Sequence, residues 1–306
     1  MYKKIFVLSG VIFLLGFVGC DKGSFSKDPV PGAAEYLGND HWNKGNSEYQ
    51  VYSLSDLNVY GTKRSSDGNI MLAVKEPWNS KLNVKGDKDT MDSTVVKFSI
   101  FKGFQTGTYP YSYKADLFFN VKTGEVIKYT MGSQDGCGNN FMQYDRDGKN
   151  GKFMYHSYWN NHGIIHVSKP VTEFDTFFDA LPFYLRFRLK EGSYTAKVVQ
   201  PLIANHPVDI KDAKNDIKNQ ADAVTRGFPV IVEVKVTNTK DVVDGKNVIK
   251  SSVIHGDKTD VFVFEEEFPN NLYAWHGAAN WKQKHSKFFQ YWDPEIRKKE
   301  AGSVFK

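Results

Sequence analysis

The chain is poor in cysteine: only Cys20 and Cys137 occur in 306 residues. With Cys20 spent on the modification described below, no intrachain disulfide can form, so the fold is not a disulfide framework. No apolar run is long enough to cross a bilayer. The most apolar stretch, Ile5 to Val18, holds fourteen residues, where a spanning helix needs about 20. There is no P-loop, no internal repeat and no alternation of strands with helices, which excludes a doubly wound nucleotide-binding fold. Nor is there a basic cluster. Lys and Arg exceed Asp and Glu by only 40 to 35, spread along the chain, which excludes the charged face that nucleic acid requires.

What is present begins at the N-terminus. Lys3 and Lys4 precede IFVLSGVIFLLGFV, and Gly19-Cys20 closes the stretch. A basic start, a short apolar core and a small residue before cysteine form the pattern of a bacterial lipoprotein signal. Residues 1–19 are thus expected to be removed. Cys20 would then carry lipid on its thiol and new amino group, and more than one acyl chain is what stable anchoring needs. The expected partner is membrane lipid held through acylated Cys20. Two units of the formal net charge of +5 leave with Lys3 and Lys4. Residues 20–48, rich in Gly, Ser, Pro and charge at their start, read as a flexible tether.

The remainder, 49–306, reads as a β-rich domain, with an option of two lobes divided near 172. Val96, Phe98 and Ile100 share one face, and Lys97 and Ser99 the other, the period of two of a strand. The same alternation marks Thr108–Val121 and, most cleanly, Val230, Val232, Val234 and Val236. Lys122-Thr123-Gly124-Glu125 and Asp244-Gly245 read as hairpin turns. Two stretches change period. Phe174, Phe177, Phe178 and Leu181 fit a helical stripe ended by Pro182. Asp209–Arg226 carries another stripe between an Asp cap and Gly227. A last strand is expected at Phe288–Trp292, and a short helix after Asp293-Pro294. The fold class is therefore mainly β: antiparallel sheets forming a sandwich or half-barrel, with two or three helices.

Candidate chemistry is sparse. Cys137 lies between Gly136 and Gly138, and His156 follows on a strand. A thiol beside an imidazole could serve a hydrolase or transferase, but Cys137 reads equally as a small buried hydrophobe. His162 and His166 could share a strand face with His156, yet no further ligand spacing supports a metal. Asp145 to Gly151 lacks the fifth and sixth positions of a calcium loop and reads as a hairpin. Trp275 and Trp281, set among Asn, Gln and Lys, could line a glycan or peptide cleft, although most Trp in sheet proteins are core. Neither a cofactor nor a metal is expected.

Glu76-Pro77-Trp78, Thr106 to Ser112, Gly136-Cys137-Gly138 with Gln143, His156-Ser157-Tyr158, and Phe268-Pro269 with Trp275 form a set of landmarks. In these the chain, over most of 57–292, resembles an uncharacterised lipoprotein family of Bacteroidota. Some members carry the label septum formation inhibitor Maf. That label implies an α/β pyrophosphatase with a Ser- and Arg-rich phosphate loop near its start, which this chain lacks. The resemblance implies a Gram-negative envelope protein, with the outer membrane as its expected site. The expectation is thus a non-enzymatic envelope lipoprotein that binds or scaffolds a protein, glycan or apolar partner. The alternatives are a Cys137/His156 enzyme and a carrier holding an apolar ligand inside a half-barrel.

Overall fold

A computed structural model describes residues 28–59, 61–134, 138–156, 164–200 and 229–295. The leader, Cys20, Cys137, His162, the helix expected at Asp209–Arg226 and the chain after Glu295 lie outside the described residues. The first half supplies β1 (Ser47–Val59), β2 (Thr62–Asn79), β3 (Val84–Lys85), β4 (Ser93–Gln105), β5 (Pro110–Asn120), β6 (Val126–Gln134), β7 (Asn139–Asp147), β8 (Asn150–His156) and β9 (Ile164–Pro170). The second supplies β10 (Thr176–Phe177), β11 (Ser193–Val199), β12 (Ile231–Val243), β13 (Lys246–His255), β14 (Lys258–Glu265), β15 (Leu272–His276) and β16 (Asn280–Phe289). Apart from a parallel β10–β11 pair, the ladder is antiparallel. The last strand therefore ends at Phe289, and Tyr291 and Trp292 lie beyond it.

All of these strands belong to one sheet. It runs from β10 through β16 to β1, then through β2 and β4 to β9, with β3 paired on β2. The β16–β1 ladder joins the two halves of the chain, so position 172 is not a lobe boundary. Instead the chain leaves one end of the sheet there, passes through its concave side and rejoins the other end. The sheet must curl around this crossing segment, because Phe183 touches Phe98 of β4 and Phe119 of β5, while Phe178 lies against His255 of β13 and Trp275 of β15.

That crossing segment, Phe174 to Leu189, is a plug. Here the sequence expectation is corrected. The apolar residues do not form one helix ended by Pro182. Phe174 is extended, Thr176–Phe177 is strand, Phe178–Ala180 is a 3₁₀ turn, and Pro182 sits in the first turn of helix α2 (Leu181–Tyr184). Proline fits a first turn because its missing N–H has no partner there anyway. The plug is buried except at Asp175 and Arg188, which are partly exposed, so a one-sided helical stripe has almost no solvent face to serve.

The tether expectation is corrected as well. Within 28–48, helix α1 (Ala33–Gly38) and a 3₁₀ turn (Asp40–Asn43) close one end of the curled sheet, here named the near edge. Val30, Ala33, Leu37 and Trp42 join the main core. Two glycines with positive φ admit this segment. A Cβ on Gly124 would lie 2.3 Å from that of Ala33, and one on Gly32 would lie 2.1 Å from the Phe187 carbonyl oxygen. The opposite rim, the far edge, holds the β4–β5, β6–β7, β8–β9, β13–β14 and β15–β16 connections.

Candidate functional site

The interior carries two polar clusters, one at each end of the plug. Toward the near edge, Arg186 Nη1 donates to Glu48 Oε2 at 2.6 Å, both side chains being within 4% of fully buried. Tyr36 Oη accepts from the same guanidinium at 3.4 Å and donates to the Pro269 carbonyl at 2.6 Å. His41 Nε2 lies 3.0 Å from the other Glu48 oxygen. Burial pulls the Arg186 guanidinium down, but Glu48 and Tyr36 outweigh it and hold its pKa above the ordinary value. This cluster is a buried ion pair held through Arg186 Nη1, with Arg186 Nε buried and without a hydrogen-bond partner; it ties the plug to β1.

Toward the far edge the plug turns at Phe178–Ala180, and Asp179 accepts from the Tyr129 hydroxyl at 2.8 Å. Lys102 projects inward from β4, with its ammonium 4.7 Å from the centre of the Tyr113 ring. Burial drives the Lys102 pKa from 10.5 down to about 8, against the opposing pull of Asp179. Burial, followed by the Asp179 charge, raises the Tyr129 phenol well above its usual range. On the other side of the turn, Asp260 of β14 receives two groups. Its Oδ2 is 2.8 Å from His255 Nε2, and its Oδ1 accepts from the Trp275 indole N–H at 2.9 Å. The Phe178 ring is 5.2 Å from the His255 ring. The far-edge interior thus gathers an amine that releases its proton near pH 8, a phenol–carboxylate pair and an imidazole–carboxylate pair.

Strand alternation positions these groups. Lys102 continues the inward parity of Phe98 and Ile100 and precedes buried Phe104. Asp260 precedes buried Phe262 and Phe264 with the same parity. That parity was the available sequence signal, and the sequence reading singled out neither residue.

The predicted site residues fall elsewhere. Trp275 and Trp281 are each 3% exposed and stack at 5.8 Å, with Trp275 also on Phe262 at 4.9 Å. They form interior wall, so the cleft expected from their polar sequence neighbours does not form around them. His156 stands half-buried on the outer face of β8, its ring 6.2 Å from that of exposed His166. Its shielded Nε2 has no hydrogen-bond partner. Cys137 lies outside the described residues, so the structure neither joins nor separates the Cys137/His156 pair. Asp147 and Asn150 pair across the β7–β8 hairpin, with Gly148 in the turn at φ 59°. Asp145 binds Gln143 and Asn83 there. Among the described residues no group of three His, Cys, Asp or Glu is placed to hold a metal.

No family model and no curated protein matches the chain. Among solved structures it is similar to a β-barrel-like protein of a domain of unknown function from Brucella abortus. The two share 7% identity and a TM-score of 0.43, over 80% of this chain and 98% of that one.

Proposed function

We propose that this is a lipid-anchored protein of the bacterial cell envelope, a non-enzymatic β body that binds or scaffolds a partner at the membrane surface. The observation that carries the reading is the leader, with its Lys3-Lys4 start, short apolar core and Gly19-Cys20 end. The route of the chain is consistent with it: only residues 21–27 separate Cys20 from the first described residue, beyond which the N-terminal segment closes the near edge. The resemblance to the Bacteroidota lipoproteins points the same way and suggests the outer membrane. Metabolic labelling with an alkynyl fatty acid tests it. The full-length chain should take up label and Cys20→Ser should not; label retained by Cys20→Ser would sink the anchoring.

The interior disfavours the apolar-carrier alternative. The concave side, where a lipid would lie, is filled by Phe174, Phe177, Phe178, Leu181, Phe183 and Phe187. One observation keeps the thiol enzyme as a second reading, namely the shielded and unpartnered Nε2 of His156. Under that reading Cys137 would react with iodoacetamide near neutral pH, and His156→Ala would shift the rate profile upward in pH. A profile identical in both proteins removes it.

A further inference from the structure

We infer that the near edge of the sheet is a membrane-contacting surface, with the hairpin between β2 and β4 inserted at the headgroup boundary and the far edge held away in water. The inference rests on the proposed anchoring at Cys20. Ten large apolar side chains are exposed among the described residues. Six of them sit at the near edge: Leu82, Val84 and Met91 on the hairpin, Val242 at the β12–β13 turn, Phe268 in the β14–β15 loop, and Trp292 after β16. Leu82 is 66% exposed and Met91 53%, although solvent normally drives such side chains inward. Phe289, the last residue of β16, pairs with Ser47 of β1 at the near edge, and the Trp292 ring packs on Tyr291 just beyond it.

The reach of the chain excludes the opposite orientation. Eight residue steps from Cys20 to Asp28 span at most about 28 Å. Asp28 lies beside Lys149, Asn150 and Pro170, all at the near edge. The thirteen-residue strands β1 and β4 rise about 43 Å along their length, or roughly 30–35 Å once barrel-like tilt is allowed for. A body standing with its far edge on the bilayer would hold Asp28 farther out than the tether reaches. A body standing on its near edge does not.

The hairpin is built to keep its shape at an interface. Asp87 accepts from the Thr90 hydroxyl at 2.6 Å, and Asp92 accepts from the Ser80 backbone N–H and hydroxyl at 2.9 and 2.6 Å. These bonds fix the turn with two of its three acids. Lys81, Lys85 and Lys88 balance Asp87, Asp89 and Asp92, so the hairpin carries no net charge. Its attraction to lipid is therefore apolar; Lys85 pairs with Glu76 at 3.4 Å, and long lysine stems can lie along the surface beside the apolar side chains. Contact should accordingly form on zwitterionic lipid and survive high salt, unlike that of a polybasic patch.

The test uses the full-length, acylated protein in phosphatidylcholine vesicles, in a Cys137→Ser background. Single cysteines replace Leu82, Met91, Ile164 or Ile254 in turn and carry an environment-sensitive fluorophore. Labels at 82 and 91 should shift to the blue and be quenched several-fold more by brominated phosphatidylcholine than those at 164 and 254, at low and high salt alike. Equal quenching at all four positions, or none at 82 and 91 while the protein still floats with the vesicles, overturns the inference and leaves the anchoring intact. A chain that carries no lipid on Cys20 sinks the anchoring reading, and this inference with it.

Discussion

The two ends of the plug handle a buried charge in opposite ways. At the near end Arg186 meets a carboxylate at 2.6 Å and a phenol, and its charge is held. At the far end Lys102 has an aromatic ring at 4.7 Å and the field of Asp179, and burial wins, lowering its pKa to about 8. The guanidinium presents several donors in a plane, so Glu48 and Tyr36 both engage it. The ammonium is a compact, strongly hydrated charge that burial strips of water. The near end is a clamp and the far end is a group poised to titrate.

Removing one partner of the clamp should give the largest effect. Glu48→Ala leaves Arg186 buried without a counter-ion and should cost about 3–5 kcal/mol, read by guanidinium denaturation. Glu48→Gln with Arg186→Met removes both charges and should recover most of the loss. A double variant as unstable as the single one would show that packing, not the charge, holds this end.

At the far end the consequence is a pH dependence. Below pH 8 both the folded and unfolded chains carry the Lys102 proton. Between about 8 and 10.5 the unfolded chain still binds it and the folded chain does not, so stability rises with pH across that window. The gain is roughly 3 kcal/mol at 1.36 kcal/mol per pKa unit. Wild type should therefore gain on Lys102→Met as pH rises from 8 to 10. A constant difference would mean that the amine stays charged when folded and that the two ends behave alike.

Trp275→Phe probes the other half of the far end. It keeps a ring against Phe262 but removes the indole donor to Asp260. The expected cost is about 1–3 kcal/mol, the range for a buried acceptor that loses a partner. A loss well below 1 kcal/mol would place solvent beside Asp260 and make the far end wetter than its burial indicates.

These residues also mark how far the sequence could be read. Strands with a wet face, such as β4, β5 and β13, announce themselves because solvent imposes a period of two. The plug has no wet face, so its phenylalanines satisfied a helical template by coincidence of spacing. The N-terminal segment resembled a tether because Gly, Ser and Pro dominate its start. Yet Val30, Ala33, Tyr36, Leu37 and Trp42 are all used in the core. Lys102 and Asp260 occupied inward positions of well-read strands and were passed over because charge there contradicts the expected pattern. For Trp275 and Trp281 the core option is the one that holds, since polar neighbours in sequence point outward when the Trp points in.

The smallest effect is expected where charge meets water. Lys190 Nζ lies 3.0 Å from Glu35 Oε1, and their side chains are 88% and 78% exposed. In contrast to buried Glu48–Arg186, this pair ties the chain just past the plug to helix α1 in open solvent. Lys190→Ala should change stability by less than about 1 kcal/mol, because water screens the pair and ordering two long side chains offsets the attraction. Guanidinium denaturation at low and high salt would measure it. A larger, salt-dependent loss would mean that surface charge docks the N-terminal segment. A small loss assigns that docking to the apolar contacts of Val30, Ala33, Leu37 and Trp42 and to the clamp beneath them.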